Sequence, residues 1–200
     1  MRKTIVNRGA IQAALLLGLT ATPLLYAAPA RADEISDAME EARRAYGAGD
    51  GVAARTALEE ALQLLGQRAA AGLAAALPVP LAGWTAEEAE SSAQAAHVFG
   101  AGTQASQTYH NAQDQTVTVR FTADSPMVAQ IAVMLTNPTL AGAMGKLVRV
   151  GTLRAVQASD GDLQMVVESR ILVTVEGDAP AETKLAYARA VDPARLTSKR

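Results

Sequence analysis

Apolar residues recur every three or four positions between residues 33 and 77, which is the spacing of one face of a helix. The first apolar series consists of Ile35, Met39, Ala42 and Tyr46. Gly47 and Gly49 then interrupt the spacing, and Asp50 is suited to cap a second helix. The second series, which ends before Pro78, consists of Ala54, Leu58, Ala61, Leu65, Ala69 and Leu73. The sequence therefore predicts a helical hairpin over residues 33–77.

A proline-containing linker over residues 78–85 separates this hairpin from the rest of the chain. Thr85 and Glu88 have the spacing of a capping box, and Trp84 precedes them where an apolar side chain can pack on the new helix. We therefore expect a helix from Ala86 to about Val98, and an α+β domain over residues 86–200.

Alternating apolar and polar residues dominate the chain after residue 103 and predict strands. The alternation is clearest over residues 117–121, and residues 105–110 form a weaker partner strand joined by a hairpin loop at 111–114. Three further strands are predicted at 147–156, which Gly151 can break, at 163–167 and at 171–175.

Two more helices complete the predicted order of elements. Ser125 and Pro126 begin a strongly apolar helix from Met127 to Leu135, and a final helix follows from Pro180 to Val191. The order α-β-β-α-β-β-β-α predicts an α+β fold. In this fold the N-terminal helical hairpin is followed by a single antiparallel sheet of about five strands with helices on one face.

The hairpin resembles a single tetratricopeptide (TPR) unit over about residues 38–65. The residues that carry the resemblance are Ala45-Tyr46-Gly47-Ala48-Gly49-Asp50, followed by Ala54, Ala57-Leu58 and Ala61-Leu62. A TPR solenoid needs at least about three repeats, so one copy does not imply the family's peptide-binding groove. A generic helical hairpin accounts for the same residues equally well. The element order of residues 86–200 is similar to that of PsbP/Mog1-type folds, which implies a fold and no activity.

Residues 1–32 have the three-part pattern of a secretory signal peptide. Basic residues begin it, an apolar run over residues 10–28 follows, and Ala30-Arg31-Ala32 is a small-x-small cleavage site before Asp33. The strongest apolar block, residues 13–19, is too short to span a bilayer. We therefore expect Sec-type export, cleavage after Ala32, a periplasmic location and no transmembrane anchor after the leader is removed.

Charge and cysteine content exclude several classes of function. Four of the 18 basic residues and none of the 20 acidic residues lie in the leader, so residues 33–200 carry 14 basic and 20 acidic residues. A chain of this charge repels nucleic acid and anionic lipid headgroups. The chain has no cysteine, which excludes disulfides, thiolate metal sites and a cysteine nucleophile. We expect no nucleic-acid partner and no cofactor.

Histidines and serines provide only weak candidates for catalysis or metal binding. His97 and His110 are the chain's only histidines, and they would form a metal site only if a helix end and a strand end met. We therefore assign no metal. Ser106 or Ser125 could supply a nucleophile, but no G-x-S-x-G turn exposes either. We therefore assign no catalytic residue.

The apolar helix 127–135 is the better candidate for binding. It has more apolar surface than one sheet face covers, although its methionines more often fill a core than bind copper. The predicted ligand- or partner-binding residues are Trp84, His97, His110, Met127, Ile131 and Met134.

Together these patterns favour a non-catalytic, exported interaction or accessory protein that binds a protein partner or a second copy through the hairpin. One alternative is a carrier of a small apolar ligand or lipid, with its pocket between the sheet and helix 127–135. A second alternative is a hydrolase that uses His97 or His110.

Overall fold

A computed structural model describes residues 33–94 and 102–197. The predicted leader (residues 1–32), His97 and the end of the helix expected at 86–98 lie outside the described residues. The described helices are α1 Glu34–Gly47, α2 Gly51–Ala74, α3 Pro126–Thr136, α4 Pro138–Met144, α5 Ala181–Ala190 and α6 Pro193–Thr197. The described strands are β1 Trp84–Ala86, β2 Glu90–Gln94, β3 Gly102–Asn111, β4 Thr116–Ala123, β5 Lys146–Val150, β6 Leu153–Gln157, β7 Leu163–Val167 and β8 Ile171–Glu176.

The predicted α+β class and the N-terminal helical hairpin are confirmed. The Asp50 side chain caps α2 by accepting a hydrogen bond of 2.9 Å from the amide of Ala53, as its position before the helix predicts. Gly49 has a φ of +80° in the turn, a conformation that glycine adopts without strain. An ion pair of 2.6 Å between Arg68 and Asp33 joins α2 to the start of α1.

Eight strands form one antiparallel sheet in the order β1-β3-β4-β8-β7-β6-β5, and β2 also pairs with β3. The sheet is larger than the expected five strands for two reasons. The chain turns at Gly151, where φ is +58°, so the strand predicted at 147–156 becomes the hairpin of β5 and β6. In addition, β1 lies at the end of the predicted linker, and β2 lies in the segment predicted to be helical.

The helix predicted from Ala86 is wrong over the described residues up to Gln94. Residues 84–94 instead pair with the outer edge of β3, with Thr85 opposite His110 and Ser91 opposite Ala105. Strand β3 is ten residues long, and its edge amides and carbonyls need partners. This pairing outweighs the local helix propensity of alanine and glutamate.

Helices cover both faces of the sheet rather than one. Side chains alternate between the faces along β8, so Val173 lies in the larger core and Leu172 in the smaller one. The larger core packs the sheet against the C-terminal part of α2, α5 and α6, and the smaller core packs β6 to β8 against α3 and α4. The largest fully buried side chains of the larger core are Tyr109, Phe121, Leu163, Met165 and Tyr187.

Helix α2 packs in two directions, so the residues of its predicted apolar series are not all buried on one side. Ala54, Ala57 and Ala61 are buried in the half beside α1, whereas Leu73 belongs to the core against the sheet. A Cβ added at Gly66 would lie 2.9 Å from the Cβ of Ala93 in β2, so glycine allows the close approach of helix and sheet.

Two buried tyrosines hold the linker against the sheet and α5. The Tyr109 hydroxyl lies 2.6 Å from the Pro78 carbonyl oxygen, to which it donates, and the Leu81 amide donates to the Tyr187 hydroxyl. The ring centroids of the two tyrosines are 4.5 Å apart, and Trp84 contacts Tyr187 edge-on. Burial raises the pKa of both hydroxyls, so both stay protonated and serve in packing and hydrogen bonding.

Lys184 joins α5 to two loops of the sheet. Its side chain is 2% exposed, and its Nζ donates to Asp162 Oδ1 at 2.7 Å, to the Asp160 carbonyl at 2.8 Å and to the Gly177 carbonyl at 2.7 Å. All three N–H groups of the ammonium therefore have acceptors, which explains why a lysine is tolerated there.

Candidate interaction surfaces

The structure does not bring together the five predicted binding residues that it describes. Trp84 lies half-buried in β1, where it packs on Tyr187, while Ile131 of α3 packs against the smaller core. Met127 and Met134 of α3 are 57% and 38% exposed. His97 lies outside the described residues.

His110, Ser125 and Ser106 do not lie together in a catalytic arrangement. The His110 Nδ1 lies 4.0 Å from a Glu87 carboxylate oxygen on the partly exposed edge of β3. Ser125 is 6% exposed, and its hydroxyl caps α3 by accepting from the Met127 amide. Ser106 is four residues from His110 on the same strand, about 13 Å along it. No group of three or more histidine, cysteine or acidic residues among the described residues is arranged to hold a metal.

The interface between α3 and the sheet is filled with apolar side chains. Val128 and Leu135 pack there with Val156 and Leu172.

Two clefts lie elsewhere in the molecule. One, of about 330 Å³, is lined by polar residues of β2 and β3, and the other, of about 300 Å³, lies beside the C-terminal half of α2.

The cleft beside α2 has an apolar floor and a charged border. Its apolar lining includes Ala69, Leu73, Ile171 and Leu196. Arg170 and Asp124 also line it and form an exposed ion pair of 2.9 Å with each other. The cleft can therefore receive an apolar side chain of a partner, and Arg170 and Asp124 can hydrogen-bond to polar groups of the partner next to that side chain.

An exposed apolar stripe runs along α2 toward this cleft. Leu58, Leu62 and Leu65 are 52%, 68% and 45% exposed, and with the exposed Ala69 they have i, i+4, i+7, i+11 spacing on one side of the helix. We call these four residues the hairpin stripe. Ala69 belongs to both the stripe and the cleft lining.

Sequence reasoning missed the hairpin stripe because it predicted Leu58, Leu65 and Ala69 on the buried face. The sequence carries one signal of the stripe. Residues 51–74 contain apolar residues all round, more than a helix packed along a single face can bury.

A second exposed apolar surface is formed by α3 and α4, which we call the bent helix pair (residues 126–144). Its exposed large side chains, with that of Leu147 in β5, are Met127, Val133, Met134, Leu140 and Met144. Residues 126–144 contain no acidic, basic or histidine residue. Within the described residues no single helix is long and apolar enough to cross a membrane, whereas this pair, bent by 102°, passes the same length and composition test as a unit.

The part of the sheet that α3 and α4 leave open is polar. Arg120 of β4 forms an ion pair of 3.0 Å with Glu176 of β8, and the hydroxyls of Thr108 and Thr118 lie 3.0 Å apart. These side chains satisfy one another, which is typical of the solvated face of an antiparallel sheet.

Comparison with known proteins gives no relative, since no family model, curated protein or solved structure matches the chain.

Proposed function

We propose that the chain is an exported, non-catalytic interaction protein that binds an apolar, helical segment of a partner protein along the hairpin stripe. The observation that carries the proposal is the exposure of three leucines, between 45% and 68%, on one side of a helix whose buried residues already pack on α1 and on the sheet. Contiguous exposed apolar residues of this kind are typical of protein-binding sites.

The spacing of the stripe supports a helical occupant. The eleven residue-to-residue steps from Leu58 to Ala69 extend over about 16 Å of helix, which is the length of three turns. Apolar side chains at i, i+4 and i+7 form a ridge along α2, and such a ridge packs into the groove on the surface of another helix. The cleft at the Ala69 end would receive one anchoring side chain of the partner, with the Arg170–Asp124 pair as a polar rim.

Two further observations support the export and the absence of catalysis in this proposal. The leader pattern of residues 1–32 favours a periplasmic location. Within the described ranges two buried polar side chains serve in structure: Lys184 holds two loops and Ser125 caps a helix.

Site-specific photo-crosslinking in the producing cell tests the proposal. A photoreactive amino acid replaces Leu62 in the stripe, and Glu60 on the far side of the same helix provides the matched control position. We expect a discrete adduct from position 62 and none from position 60. We also expect Leu62→Asp to abolish co-purification of the crosslinked protein.

The mass of the adduct separates a different protein from a second copy of this chain. Adducts of equal yield from both positions, or none from position 62, would contradict the proposal. A retained partner after Leu62→Asp in a folded protein would contradict it as well.

A further inference from the structure

The bent helix pair has one packed side and one exposed apolar side. Val128, Ala132 and Leu135 of α3 and Ala141 of α4 are at most 8% exposed, and all but Ala132 belong to the smaller core. On the other side, Val133 is 66% exposed and Leu140 is 46% exposed. Because the packed side is committed to the sheet, these helices can lie on a bilayer but cannot cross it while the protein stays folded.

The turn between the helices is built without charge. The Asn137 side chain accepts hydrogen bonds from the amides of Thr139 and Leu140, so the start of α4 is capped by a neutral group. The Thr136 hydroxyl donates a hydrogen bond to the Ala132 carbonyl oxygen within the same helix, so this polar group has a partner without water. The bend therefore brings no ionised group into an apolar environment.

An arginine pair lies beside the helices on the same face of the sheet. Arg149 of β5 is directly opposite Arg154 of β6, and both side chains are exposed. They follow Leu147 and precede Val156 by two residues, so they share the face on which α3 and α4 pack. Within the described residues neither arginine has an acidic partner.

Two unpaired like charges directly opposite each other destabilise a strand pair, and an anion from outside the chain would relieve the repulsion. Asp124, just before α3, and Glu168, just before β8, do not supply this anion. Asp124 pairs with Arg170, and both Asp124 and Glu168 line the cleft beside α2.

We propose that the bent helix pair is a membrane-docking element, which places its exposed apolar side chains at the headgroup boundary of a bilayer while Arg149 and Arg154 bind anionic lipid headgroups. An apolar surface bordered by cations is the chemistry of interfacial membrane binding. The acidic remainder of the chain opposes such binding only weakly, because charges more than about 8 Å from the bilayer are screened at physiological salt.

The membrane proposal is independent of the hairpin stripe. The stripe lies on α2, which packs against the opposite face of the sheet from α3 and α4. A membrane-bound protein would therefore keep the stripe available to its partner.

Vesicle flotation tests the proposal with the protein expressed from its full-length gene, and intact mass confirms the same N-terminus in every variant. The probes are vesicles of phosphatidylcholine alone and vesicles of phosphatidylcholine with phosphatidylglycerol at a ratio of about 70:30, both at physiological salt. We expect binding to the anionic vesicles and much weaker binding to the neutral ones.

Three variants separate the contribution of the apolar surface to vesicle binding from that of the two arginines. We expect Val133→Asp to weaken binding about tenfold or more, because it puts a charge in the docking surface. We expect Arg149→Gln and Arg154→Gln to weaken it about fivefold each. The matched controls are Val52→Asp, on the hairpin, and Arg189→Gln, on α5 at the opposite face, and both should bind as the unmodified protein does.

A fluorescent reporter adds a measurement that does not depend on affinity. Since the chain has no cysteine, Leu140→Cys and Met39→Cys each accept one environment-sensitive dye at a chosen site. We expect a blue shift on anionic vesicles at position 140 and none at position 39.

Absence of vesicle binding, equal binding to neutral and anionic vesicles, or unchanged binding by a folded Val133→Asp variant would each overturn the proposal. A dimer that Val133→Asp converts to a monomer, without vesicle binding, would overturn it in favour of a second copy as the occupant.

Discussion

Replacement of Lys184 by methionine would remove a buried ammonium group while keeping the length and apolar stem of the side chain. The variant loses three hydrogen bonds of 2.7 to 2.8 Å and leaves the carbonyls of Asp160 and Gly177 without this donor. It also leaves the Asp162 carboxylate without its cation. The loop from Asp160 to Asp162, β8 and α5 would then lose their common attachment.

The expected loss follows from the burial of the two partners. Removing one member of a buried ion pair typically costs about 3–5 kcal/mol of unfolding free energy. The Asp162 side chain is 32% exposed, so water can partly replace the ammonium, and the loss should lie near the lower limit, about 3 kcal/mol. For a protein of this size, that loss lowers the Tm by roughly 6–12 °C.

Urea unfolding followed by tryptophan fluorescence measures this loss directly. Trp84 is the chain's only tryptophan and contacts Tyr187 on the same helix as Lys184, so its emission reports on this region. The matched control is Lys146→Met at an exposed position, which should change stability by less than about 0.5 kcal/mol. Asp162→Asn in both backgrounds gives the coupling energy of the pair.

A loss below about 1 kcal/mol in Lys184→Met would refute the reasoning, because at least two carbonyl groups would then have found other donors without cost. Equal losses in Lys184→Met and Lys146→Met would refute it too.

Two further predictions concern the pH dependence of stability and the space around glycines. Hydrogen bonds from the amide and hydroxyl of Thr116 hold the pKa of Asp178 below its usual range, so the stability they contribute is present near neutral pH and is lost as the carboxylate is protonated below about pH 4. In urea melts, the stability of Asp178→Asn should therefore approach that of the unmodified protein as the pH falls, and a constant gap would contradict this. A Cβ at Gly145 would overlap the carbonyl of Gln157, so Gly145→Ala should cost about 2 kcal/mol or more in the same melts. Gly142→Ala has open space within α4 and should add roughly 0.5–1 kcal/mol, and equal effects at the two glycines would contradict the packing argument.

The elements predicted correctly are those that local patterns specify. The helical hairpin follows from 3.6-residue spacing, the glycine turn and the Asp50 cap. The β3–β4 hairpin follows from strict alternation, which matches the alternating burial of β4. Ser125 before Pro126 also marks the start of α3, where its hydroxyl accepts from the Met127 amide.

The segment from Trp84 to Gln94 shows where local patterns fail. Its alanines and glutamates, with a capping-box spacing at Thr85 and Glu88, are typical of a helix. The long edge of β3 provides hydrogen-bond partners from distant positions in the chain, and the segment pairs with them as β1 and β2. A propensity of a few tenths of a kcal/mol per residue does not outweigh such pairing.

The candidate surfaces depend even more strongly on the tertiary structure. Spacing identifies the leucines of α2 and the apolar residues of α3, but it does not say which side of a helix meets another element. The sheet decides this, since it takes the Leu73 side of α2 on one face and the Val128 side of α3 on the other. Leu62 and Val133 remain exposed as a result.

By itself, the sequence determined the α+β class, the hairpin, most of the strands and the helix caps, because each depends on neighbours within a few residues. Only the tertiary structure decided the pairing of residues 84–94, the burial of Lys184 and the exposure of the two apolar surfaces. These depend on contacts between residues far apart in the chain, and such contacts form only when the whole chain is packed.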